Sequence, residues 1–258
     1  MAEQSPPPYD GKKTGAADTT DLECLVEEDG GFHIDYWVDK NVRQTFIRKV
    51  YSIITLQLLV TVGIVALFTF SHPVSHYVQR NIALYYVSYA VFLICYLVLA
   101  LCRSIQRRFP WNIILMTIFT MSTAFMTGTI ASVYETKTVV IAMIITAVVT
   151  ITVTVFSFQT KVDLTTCRGF FCIMAIVFMV TGIATAIVLS CKYMYWLDLL
   201  YAAISAVVFT LFLAYDTQLL LGNRKYAISP EDYIYGAIQI YIDVIYIFLS
   251  FTRLVGRN

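Results

Sequence analysis

The stretch AIQIYIDVIYIFLSF (residues 237–251) is apolar almost throughout, yet it holds a carboxylate, Asp243, near its middle. Upstream, FLAYDTQLLLG (212–222) does the same with Asp216. Between them lies GNRKYAISPED (222–232). Gly222 suits a helix C-terminal cap, and Arg224 and Lys225 follow it at the negative end of the helix dipole. Ser229 and Pro230 read as an N-cap and first helical position, with Glu231 and Asp232 in the opening turn. The spacing predicts a hairpin of two antiparallel apolar helices, each carrying one acid.

Outside the hairpin the chain is equally oily. Hydrophobic residues make up 59% of it and charged residues only 14%, and the mean hydropathy is +0.72. Those shares lie well outside the range of a soluble domain. Five runs have no charged residue at all: 50–71, 81–102, 109–134, 138–160 and 169–191. Each is long enough to cross about 30 Å of hydrocarbon as a helix. The run at 138–160 is rich in β-branched residues, but its unbroken length favours a helix over a strand. With the two acid-bearing segments, the expectation is an all-α integral membrane fold of seven transmembrane helices. A net charge of +1 gives no electrostatic case for nucleic acid.

Basic residues set the expected orientation. Lys40, Arg43, Arg48 and Lys49 precede the first span, Arg103, Arg107 and Arg108 follow the second, Lys161 and Arg168 follow the fourth, and Arg224 and Lys225 follow the sixth. The opposite loops hold only Arg80, Lys137 and Lys192. The N-terminus is therefore expected in the cytosol. Arg253 and Arg257 argue mildly for a cytosolic C-terminus, which a re-entrant last segment would satisfy; seven full spans would place it on the other side. The six cysteines show no spacing with histidines that suggests zinc or a disulfide framework.

Residues 1–45 are expected to form a disordered cytosolic tail ahead of a membrane domain over 46–258. The tail holds Pro6, Pro7, Pro8 and Tyr9, a PPxY pattern whose polyproline helix fits the aromatic groove of WW domains. WW-bearing ubiquitin ligases are the expected partners of that motif.

Asp216 lies five residues before Leu221, about 8 Å from that helix end, and Asp243 lies thirteen after Pro230, about 20 Å in. The two depths match only if the first turns of the last helix sit in the interface, where Glu231, Asp232, Tyr233 and Tyr235 are at home. Gly236, Gln239, Asp243, Tyr246 and Ser250 follow one another at steps of three and four, one face of a helix. That polar or small stripe is expected to face a pore. In the fourth span Thr146, Thr150, Ser157 and Thr160 form a similar file, for which interhelical hydrogen bonding is the simpler reading.

A carboxylate inside a bilayer is costly and marks a functional site by default. Two such groups side by side do not easily both ionise and can share a proton, which makes the pair proton-responsive. Protonated, they can hold two helices together; deprotonated, they repel or attract a cation. Calcium takes about six to eight oxygens, so Asp216 and Asp243 alone would bind it weakly, which suits permeation better than storage. The plain alternative is a structural acid satisfied by a Tyr, Thr or Arg.

Several long motifs occur in order: FIRKVYSI (46–53), YYVSYAVF (85–92), RRFPWNIIL (107–115), FSFQTKVD (156–163), FTLFLAYDTQLLLGNRK (209–225) and ISPEDYIYGAIQIYIDVIYIF (228–248). On these the chain resembles the transmembrane Bax inhibitor motif family in its lifeguard branch. With PPPY near the N-terminus it looks like the shear-stress-responsive subgroup. The resemblance implies a last helix central to a six-helix bundle, inhibition of apoptosis, no enzymatic activity, no cofactor, and a pH-sensitive calcium leak. It implies that Asp216 and Asp243 are the family's paired aspartates, and offers Arg103, Arg107 and Arg108 as pair partners. It also implies an endomembrane location (lysosome or endosome, Golgi, endoplasmic reticulum) or the plasma membrane, and death-receptor or Bcl-family partners. Three rivals stand beside it. A non-conducting interaction protein would make the acids structural. An intramembrane aspartyl protease needs glycines before its second aspartate, where this chain has Ile240, Tyr241 and Ile242. A G-protein-coupled receptor would have the opposite orientation.

Overall fold

The computed structural model describes residues 40–192, 194–222 and 225–256. Pro6, Pro7, Pro8 and Tyr9 lie outside the described residues, as does Arg224. Among the described residues there are nine α-helices and no strand. They are α1 (Lys40–Phe70), α2 (His72–Arg80), α3 (Ile82–Leu101), α4 (Arg103–Gln106), α5 (Trp111–Ala131), α6 (Thr136–Gln159), α7 (Arg168–Cys191), α8 (Tyr195–Leu221) and α9 (Tyr233–Val255). Seven of them, all but α2 and α4, are long and apolar enough to cross a membrane. The all-α membrane fold is thus borne out, including a helix over the β-branched 138–160 run. The last segment, Pro230–Val255, is long and apolar enough to cross as a single helix.

The helix α9 is the core of the bundle. Its most apolar window is 72% buried, against 44% for α5 and none for α7. It packs directly on α8, α6, α1 and α5, whereas α3 leans mainly on α5 and α7 mainly on α8. Ile234, Ile238, Tyr241 and Ile245 of α9 join Phe92, Phe119 and Val139 in the central apolar cluster. The outer faces are apolar and exposed, as at Leu59, Ile144, Ile176 and Ile183. Large exposed aliphatic surface is stable only against lipid.

The hairpin between the acids has its glycine cap and its proline start where expected, but Ser229 makes no side-chain capping hydrogen bond. Gly222 caps α8 in the left-handed conformation, φ 61° and ψ 16°, which costs an L-residue because its Cβ crowds the next carbonyl. Pro230 opens a short 3-10 turn (Pro230–Asp232) that leads into α9. The loop then folds back on itself, with the Ile228 N–H donating to the Leu219 carbonyl at 3.1 Å. Gly222→Ala is expected to lower stability by about 1 kcal/mol. A thermal melt of the purified protein in detergent reads that loss, and an unchanged melting temperature would count against the strained cap.

Candidate functional site

Register places the acids. In the antiparallel α8–α9 pair, Tyr246 stacks on Phe209 with ring centroids 4.4 Å apart and an interplanar angle of 6°. One turn further along α9, the Ser250 hydroxyl donates to Ser205 Oγ at 2.9 Å. In the other direction, a Cβ on Gly236 would lie 3.3 Å from the Leu220 side chain. On that register Asp243 stands level with Phe212, four residues short of Asp216, a gap of about 6 Å. Helical side chains lean toward their own N-terminus. Because the helices are antiparallel, Asp216 leans toward Asp243 and Asp243 leans toward Asp216. The two buried carboxyls are thereby turned toward each other.

The pair is sealed. Asp216 is 9% exposed and Asp243 4%, and Oδ2 of Asp243 has no hydrogen-bond partner among the described residues. Ionised carboxylates only accept hydrogen bonds, so a bond between two of them requires a proton on one. No group of three or more His, Cys, Asp or Glu side chains that could hold a metal occurs among the described residues.

The polar stripe of α9 is a packing face. Gly236, Asp243, Tyr246 and Ser250 meet α8 in the contacts above. The Tyr96 hydroxyl of α3 donates to Gln239 Oε1 at 3.4 Å. In this arrangement the small and polar residues Gly236, Gln239, Tyr246 and Ser250 let neighbouring helices approach closely and bond across the contact. The fourth-span file behaves as its simpler reading predicts, with Thr146 donating to the Ala142 carbonyl and Ser157 to the Ala214 carbonyl at 3.4 Å.

Arg107 is also placed elsewhere than beside the acid pair. Its Nε donates to Asp232 Oδ1 at 2.9 Å, and a second guanidinium nitrogen lies 2.6 Å from Glu231 Oε2. The physical reason is position: α3 ends at Leu101, so residue 107 lies beyond the bilayer-facing helix and meets the acids that open α9. Asp232 beside it raises the guanidinium above its ordinary value. Arg108 is exposed, and the side chain of Arg103 lies outside the described residues. The same end of α9 is held by Asn112, which donates to the Tyr233 hydroxyl at 3.2 Å, and by the Lys49 ammonium, 3.4 Å from the Tyr233 ring centroid. The Arg107 side chain is 43% exposed, so a double-mutant cycle of Arg107→Ala with Asp232→Ala should give a coupling of only about 0.5–1 kcal/mol, shrinking in high salt. A larger, salt-independent coupling would show that this contact is shielded from water.

Two buried groups carry no signal that spacing alone exposes. Gln218, fully buried, donates from Nε2 to the Val162 carbonyl at 3.0 Å and accepts from the Leu164 N–H at 2.8 Å. Tyr241, also fully buried, shares a hydrogen bond of 2.8 Å with Thr61 of α1. A polar residue inside an apolar run was their only mark in the sequence.

Comparison with known proteins gives one consistent result. The family described as "Inhibitor of apoptosis-promoting Bax1" matches residues 43–258, a range that contains both acids. Protein lifeguard 3 of Homo sapiens is 61% identical over 251 residues, 97% of this chain and 77% of that protein. Protein lifeguard 3 of Mus musculus is 64% identical over 222 residues, 86% of this chain and 72% of that protein. Protein LIFEGUARD 1 of Arabidopsis thaliana is 29% identical over 224 residues, 84% of this chain and 90% of that protein.

Proposed function

The chain belongs to the Bax inhibitor motif family, in its lifeguard branch, and on that premise we propose that it is a multi-pass membrane regulator of apoptosis acting through a pH-sensitive calcium leak controlled by Asp216 and Asp243. The observation that carries the reading is the α8–α9 register, which turns two buried carboxyls on adjacent apolar helices toward each other. A pair that shares one proton ties α8 to α9. Loss of that proton leaves two like charges in a medium of low dielectric, which push the helices apart or recruit a cation. Two carboxylates are too few ligands for tight calcium binding, so the ion would pass rather than stay. Calcium is cargo here, and neither a cofactor nor catalytic chemistry is invoked.

Linkage fixes the sign. The closed form holds the proton and the open form has released it, so raising the pH favours opening by up to tenfold per pH unit for one proton. The test is purified protein in vesicles loaded with calcium and an indicator dye, with release followed across neutral pH. Release that rises with pH is expected. No release at any pH from correctly oriented protein would defeat the conducting reading and favour a non-conducting interaction protein, with death-receptor or Bcl-family proteins, or WW-domain ligases at Pro6 to Tyr9, as the binding partners to seek. The basic-flank count supports a cytosolic N-terminus in an endomembrane, which protease protection of a tagged N-terminus tests.

A further inference from the structure

A cavity of about 260 Å³ opens on the side of the bundle, between α1, α6 and α9. Its floor is Val244, Ile245 and Phe248, and its walls include Leu58 and Met143. Three threonines also line it, yet they contribute little polarity. The Thr61 hydroxyl is engaged with Gln57 O and Tyr241, and that of Thr146 donates to Ala142 O. What those two turn toward the cavity is largely methyl. Only the Thr150 hydroxyl has no partner among the described residues.

Water does not fit such a space, since a buried water wants two to four polar partners. An empty space does not fit either, because its lining forfeits dispersion contacts on one side. The volume exceeds the ~150 Å³ apolar cavity that suffices to take up a benzene ring. The mouth is rimmed by Val62, 46% exposed, and Ile151, 64% exposed, and is continuous with the apolar outer face of the bundle. Ala147, inside it, lies about 17 Å from either end of α6, so the opening is near the middle of the bilayer, where only the distal parts of acyl chains are found.

We propose that this cavity is a binding site for one acyl chain of a membrane phospholipid, which enters sideways from the bilayer and packs against the back of α9. The chain completes the contact of α1 and α6 with the acid-bearing helix, on the face opposite α8. This assignment does not depend on whether the protein conducts calcium.

The test uses full-length protein in phosphatidylcholine vesicles that contain a small fraction of phosphatidylcholine with a photoreactive diazirine near the end of one chain. After irradiation, cross-linked peptides should concentrate on the cavity-lining parts of α1, α6 and α9. Ala147→Trp, which fills the cavity from an exposed position, should reduce that labelling roughly tenfold, as should Val62→Trp from the opposite wall. Ala186→Trp, on the exposed outer face of α7, should leave it unchanged. Thr150→Val should also leave it unchanged, because a hydrocarbon chain needs no hydroxyl. Labelling spread evenly over all outward faces, or unaltered by both filling variants in protein that stays monodisperse, would overturn the site. Loss of labelling in Thr150→Val would overturn the hydrocarbon assignment in favour of a ligand with a polar atom at that depth.

Discussion

Asp216→Asn and Asp243→Asn are each expected to hold calcium release low and flat between about pH 6 and pH 8, where the unaltered protein should show release rising with pH. The carboxamide donates a hydrogen bond without titrating. It therefore imitates the protonated member of the pair at every pH and keeps α8 tied to α9. The wild-type step should approach, and not exceed, tenfold per pH unit if one proton governs the opening. A steeper step would require a second coupled group. Both single variants should behave alike, because a shared proton belongs to the pair and not to either residue. Variants that titrate as the wild type does would sink the pair as the pH-responsive element while leaving the family assignment untouched. The size of this effect follows from burial: with both acids nearly inaccessible, water does little to screen the charge that proton loss creates.

What the sequence could and could not tell divides along a physical line. Spans are set by length and hydropathy along one helix, and the hairpin by Gly222, Ser229 and Pro230, all local signals. The chemistry of Asp216 and Asp243 was legible for the same reason, since charge inside an apolar run is conspicuous. Their meeting was not. It depends on the register of α8 against α9, fixed by Phe209 with Tyr246 and Ser205 with Ser250, and on the lean of the side chains across one remaining turn. Counting depth from the two helix ends overlooks both. The stripe of α9 is ambiguous in sequence for a related reason. Period shows that residues share a face, but it does not distinguish a face turned to water from one turned to a neighbouring helix. Three arginines near a helix end look alike in sequence, whereas Glu231 and Asp232 are brought to Arg107 only by the fold. The short helix α2, from His72 to Arg80, arises in a stretch with no apolar run to announce it. It is anchored from outside itself, with Gln79 donating to the Ser132 carbonyl at 2.7 Å.

Gln218→Leu should separate the fold's stability from its response to protons. Its side chain closes the turn between α6 and α7 onto the end of α8, through the Val162 carbonyl and the Leu164 N–H. Leucine fills nearly the same space but leaves both backbone groups without a partner, at about 1–3 kcal/mol for each that stays dry. A loss of roughly 2–4 kcal/mol would lower the melting temperature of a protein this size by about 4–16 °C. Gln218→Glu should fare little better, since it keeps the acceptor for Leu164 but turns a second oxygen toward the Val162 carbonyl. Yet residues two apart on a helix do not share a face. Gln218 looks toward the α6–α7 turn while Asp216 looks toward Asp243, so Gln218→Leu should retain the rise of release with pH. Asp216→Asn should do the reverse, keeping the melting temperature near that of the parent while the rise disappears. If Gln218→Leu flattened the pH response as well, the proton sensitivity would belong to the global stability of the bundle and not to the carboxyl pair.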